Sequence, residues 1–184
     1  TTATYKHRKD PVTVKDKDEV TYNISIYNEG NKAGYATKII DQLPTGLINS
    51  TNNSATVVSK DKSGNTKNTY KLDYNTLTNQ IILTIVNTTE NPAKELNAYT
   101  EGKLDWETIE IKCKVAQEPD TKNQIILTNV AWIDEEYNSN DKITITNQKG
   151  ADRDSEPDTS PNVNKDNMSN YKGNSSNKDD LTDD

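Results

Sequence analysis

Alternation with a period of two recurs along this chain, and it limits the fold more than any single motif does. In "EVTYNISIYNEG", Val20, Tyr22, Ile24 and Ile26 fall on one face and Thr21, Asn23 and Ser25 on the other, before Asn28 to Gly30 makes a turn. That is the pattern of a half-buried strand. Similar runs are "YATKIID", "SATVVSKD", "NTYKLDYN", "NQIILTIVN", "ETIEIKCKV", "NQIILTNVAWID" and "DKITITN", separated by clusters of Gly, Asn, Asp and Pro. This spacing predicts an all-β protein, an antiparallel β-sandwich. Only "ENPAKELNAYTEGKLD", residues 90–105, has helical character, and it is predicted to be a short helical excursion between strands. No internal repeat is visible, so one sandwich domain is the economical reading.

Composition sets where that domain ends. Of the 184 residues 30% are hydrophobic, which leaves part of the chain without core material. Residues 150–184 carry nine acids against four bases and only Ala151, Val163, Met168, Tyr171 and Leu181 as apolar side chains. Such a segment cannot offset its ordering entropy by burial. The domain is therefore placed at residues 1–149, followed by an acidic C-terminal tail or linker at 150–184.

Several chemistries lose their reagents. With one His, one Cys and a net charge of -7, the chain offers no zinc site, no disulfide framework and no basic groove for nucleic acid. His7 has no nucleophile motif near it and reads as a strand residue. Cys113 alternates with Ile109, Ile111 and Val115 and reads as a small core residue. No enzyme other than a self-modifying one is indicated. No signal peptide or membrane-length apolar run is present, so a secreted origin implies a piece of a longer protein, and the piece itself inserts in no membrane. For calcium, the one cofactor considered, weak candidates are Asp134 and Asp141 in "DEEYNSND" and Asp152 and Asp154 in "DRDSEPD". Neither string has EF-hand spacing, and a solvated acidic loop is the plainer reading.

"DQLPTGL", residues 41–47, comes close to the Leu-Pro-any-Thr-Gly signal that attaches proteins to Gram-positive cell walls. It lacks one residue, an apolar span and a basic tail. The remaining reading is a turn in which Pro44 fixes φ and Gly46 adopts a conformation other residues resist.

"VTVKDKDEVTYNISIYNEGNKAGYATKIIDQLPTGL", followed much later by "IILTNVAWID", resembles the conserved repeat domains of Gram-positive, especially clostridial, cell-surface proteins. The shared pattern is a strand ending in Val-Thr-Tyr, a turn at Asn-x-Gly, an Asp before Leu-Pro-x-Gly-Leu and a late Asn-x-Ala strand, over most of residues 4–149. Residues 48–104 match no part of it, and "KDKDEV" stands where relatives usually have Gly-Asp, so the turn before Val20 is expected to differ. The family is similar to fimbrial and collagen-adhesin-type Ig-like sandwiches. In those, a first-strand Lys condenses with a last-strand Asn, helped by a buried acid.

Carried over, the resemblance implies an isopeptide bond between Lys9 and Asn129 with Asp41 as proton shuttle; Lys6, of opposite parity, is the other lysine open to the role. Parity adds that Asn129 shares a face with Leu127, Ala131 and Ile133 and so points inward. Blander roles stay open: Lys9 on an exposed edge, Asp41 capping a turn, Asn129 satisfying a bulge. The implied function is a structural spacer or stalk module, extracellular and cell-wall associated, whose partners are neighbouring domains of its parent protein. The alternative is an adhesin module that binds a host protein or glycan.

Overall fold

The computed structural model describes residues 12–116, 127 and 129–146. Nine strands form among these residues: β1 Glu19–Asn28, β2 Gly34–Gln42, β3 Leu47–Asn49, β4 Ser54–Asp61, β5 Thr66–Asn75, β6 Gln80–Ile85, β7 Asp105–Val115, β8 Val130–Asn138 and β9 Ile143–Thr146. All pairings are antiparallel, in the order β1-β7-β4-β5-β6-β2-β8-β9, with β3 added on β7. The protein is thus all-β, a single curled antiparallel sheet.

The curl centres on β7. One edge of this strand takes β1 along its whole length, from Glu19 opposite Lys114 to Asn28 opposite Asp105. Its other edge is shared: β3 covers Val115 to Cys113, and the last three residues of β4 cover Ile109 to Glu107. On its other edge β4 pairs with β5 from Ser54 to Lys60, and a register shift between Val58 and Lys60 falls where β7 joins the strand. Bulges bend strands and raise local twist, so this is where the sheet can turn over on itself.

One core results. Ile24 and Ile26 of β1 and Ile109, Ile111, Cys113 and Val115 of β7 belong to the same buried cluster as Ile39 of β2, Tyr70 and Leu72 of β5, Ile81 and Leu83 of β6 and Ala131 of β8. The expected parity holds, since Asn23 and Lys112 are exposed while Ile24, Ile111 and Cys113 are buried and Tyr22 is half-buried. At the start of β2, a Cβ on Gly34 would lie 2.4 Å from the Tyr137 carbonyl oxygen, so only glycine allows β8 to approach here.

Residues 90–105 form no helix. They run as turns and bridges over one end of the sheet, because their backbone groups are taken by partners distant in sequence. Asn68 accepts from the Lys94 N–H at 2.7 Å and donates to its carbonyl at 2.9 Å. Leu96 exchanges both backbone bonds with Gly34 and is buried, and Tyr99 donates to the Gly30 carbonyl. Pro92 and Gly102, the latter at φ 73°, add local breaks. Helical propensity in a short stretch is weak against such fixed contacts. β3, three residues long, is the other departure from the expected strands.

The domain boundary at residue 149 and the acidic tail at 150–184 lie outside the described residues.

Candidate functional site

Asp41 is the next-to-last residue of β2, and parity turns it inward between Ile39 and Leu43, both buried. Its register neighbours are Ile81 on β6 and Ala131 on β8. Its side chain is fully buried, and burial pushes its carboxyl up to about 7, against the pull of a hydrogen bond from Asn129. That bond runs from Asn129 Nδ2 to Asp41 Oδ1 at 2.6 Å, across 88 residues of sequence. The inward orientation read for Asn129 is therefore found, and two of the three residues implied by the resemblance meet in the core. Asp41 Oδ2 and Asn129 Oδ1 are buried beside them with no hydrogen-bond partner among the described residues.

The surroundings are apolar, with two weak acids facing Asp41. The Cys113 thiol is pushed up to about 12, first by burial and then by the Asp41 charge. The Tyr22 phenol is also pushed up to about 12, by burial, by Cys113 and by Asp41. Both ionise only to anions, so neither supplies a counter-charge to the carboxylate. Cys113 is fully buried in the core, as its alternation implied.

The corner after Asp41 is held from the turn between β5 and β6. Leu47 N–H bonds the Pro44 carbonyl at 3.0 Å, with Gly46 at φ 102°, closing the turn expected of Pro44 and Gly46. Asn79, at φ 56°, directs Nδ2 to the carbonyls of Leu43, Pro44 and Leu47 at 3.0 to 3.1 Å. Its Oδ1 accepts from the Tyr74 hydroxyl at 2.6 Å. Its own carbonyl accepts from Leu43 N–H at 3.1 Å.

A second buried acid, Glu107 on β7, was not singled out by the sequence reading. Its oxygens accept from Tyr70 OH at 2.7 Å, Asn68 Nδ2 at 2.9 Å and Ser59 Oγ at 2.5 Å. Neighbouring Asp105 accepts from Asn97 N–H and Nδ2, both at 2.9 Å, and from Lys67 Nζ at 3.3 Å. Alternation carried two steps back from Ile109 puts both acids on the core face, which is the signal that marks them. They fasten residues 90–105 to the sheet.

Lys9, Lys6, His7, Asp152 and Asp154 lie outside the described residues. Val14, five residues after Lys9, packs on the same core, and five residues of chain span at most about 18 Å. Of the calcium candidates, Asp134 pairs with Lys38 at 2.7 Å and Asp141 pairs with Lys32 and Asn138. Among the described residues no group of three metal-ligating side chains occurs, and there is no helix long and apolar enough to cross a membrane. Compared with protein-family models, curated proteins and solved structures, the chain matches none.

Proposed function

We propose that this chain is an Ig-like sandwich serving as a structural spacer of a Gram-positive cell-surface protein, sealed by an isopeptide bond it makes itself between Lys9 and Asn129. The observation that supports this most is the 2.6 Å contact between fully buried Asp41 and half-buried Asn129. A carboxamide and a carboxyl held together in an apolar core form the electrophile and the proton carrier of such a reaction. The buried oxygens beside them can accept from an incoming amine.

The chemistry follows from burial. A lysine ammonium moved into this core favours its neutral amine, while Asp41 favours its neutral acid. With the carboxyl protonated, a flipped Asn129 carboxamide accepts its O–H on the carbonyl oxygen and becomes more electrophilic. The amine attacks the Asn129 Cγ, the Cγ–Nδ2 bond breaks, and Asp41 transfers the proton from the attacking nitrogen to the departing one. Ammonia leaves and Asp41 is regenerated.

Intact mass spectrometry tests the proposal. The folded protein is expected about 17 Da lighter than its sequence mass, the loss of one ammonia. Lys9→Ala, Asn129→Ala and Asp41→Ala are each expected to carry the full mass of their own sequences. An unmodified folded wild type refutes the bond. A loss that persists in Lys9→Ala and vanishes in Lys6→Ala moves the chemistry to the other lysine.

A further inference from the structure

Asp41 owes its position to more than its own strand. β2 ends one residue after it, and Asn129 stands just before β8, so their contact forms where both strands run out. A ladder end without support frays. Here the support comes from one residue of the β5–β6 turn.

Asn79 binds the segment after Asp41 at five points. Its Nδ2 hydrogens are shared among the carbonyls of Leu43, Pro44 and Leu47. Its backbone carbonyl receives Leu43 N–H, and Gln42 Nε2 reaches the same oxygen at 3.4 Å. The side chain is in turn oriented by the Tyr74 hydroxyl, which fixes Oδ1 and so directs Nδ2 at the corner. Asn79 is followed by Gln80 and Ile81, the residues that pair with Gln42 and Asp41 in β2. One side chain thus ties the exit of β2 to the entry of β6, immediately beside the acid.

We propose that Asn79, oriented by Tyr74, is the positioning residue of the Asp41–Asn129 centre. Its place in a reaction rests on the isopeptide reading above, but its effect on Asp41 does not. A reacting pair loses rate steeply when displaced by about an ångström. The clamp acts on the backbone directly after Asp41, so its loss admits water to the core end and lets the carboxyl swing from Asn129.

The test uses the full chain with Asn79→Gly, which keeps the left-handed backbone and removes the side chain, and Tyr74→Phe, which removes one hydroxyl. Two readouts are taken. The time course of ammonia loss in freshly synthesised protein is expected to slow on the order of tenfold or more in Asn79→Gly, and less in Tyr74→Phe. In a Lys9→Ala background, where the bond of the proposed function cannot form, carbon NMR of the Asp41 carboxyl is expected to show its titration midpoint moving down toward the ordinary carboxylate range in both variants.

An Asp41 midpoint unchanged in both variants overturns the clamp, whatever the masses show. A wild type that never loses mass removes the isopeptide reading, and the titration alone then decides the role of Asn79. If Asn79→Gly fails to fold, Tyr74→Phe carries the same two readouts.

Discussion

At the scale of single residues, Asp41 links protonation to folding. Its carboxyl titrates near 7 in the fold against 3.8 ordinarily, so the folded state binds the proton more tightly than the unfolded chain does. The contribution of Asp41 is thus fully present below about pH 4 and falls as pH rises to about 7 before levelling off. In a Lys9→Ala background, urea unfolding is expected to show a decline on the order of 1 kcal/mol per pH unit across that window, absent in Lys9→Ala/Asp41→Asn. Asp61, Asp73 and Asp105 are shifted down and act in the opposite sense, below the ordinary carboxylate range. A second residue tests a departure visible in the sequence. Lys17 occupies φ 71° in the turn "KDKDEV", the stretch expected to differ in shape. The left-handed conformation costs a non-glycine residue about 1–2 kcal/mol, partly offset by the greater unfolded entropy of glycine. Lys17→Gly is expected to raise stability by up to about 1 kcal/mol, read from the thermal midpoint.

At the scale of elements, the strands were legible and the ties between them were not. Alternation alone places Ile24, Ile26, Ile111 and Cys113 inside, because β1 and β7 each bury one face and every other residue follows. The corner after Asp41 was legible from Pro44 and Gly46, since each has a backbone preference that acts locally. Residues 90–105 misled because their conformation is set by Asn68 and Gly34, which lie well outside any local window. Asn79 was likewise unreadable: an Asn in a turn is ordinary, and its role depends on where β2 ends in space. Asn68 tests this account. Its Nδ2 serves both the Lys94 carbonyl and buried Glu107, so Asn68→Ala takes one of three donors from a buried carboxylate and frees one end of the loop. Loss of about 2–4 kcal/mol is expected, with proteolytic cleavage appearing first within residues 86–104.

At the scale of the whole molecule, strand order implies an order of assembly. β4, β5 and β6 are successive hairpins, and β2 adds to β6, so residues 34–85 can build a meander from near neighbours. β1 finds its partner only when β7 is present, and β2 completes its second edge only with β8. Chains with such distant pairings fold in milliseconds to seconds, and refolding of the Lys9→Ala protein, followed by tryptophan fluorescence, is expected in that range. Asp41 is then in place early and Asn129 arrives among the last. Under the proposed chemistry, ammonia departs only from a chain whose final strands have docked. The missing mass becomes a permanent stamp of completed folding, and chains that stall or mispair leave the ribosome unmarked.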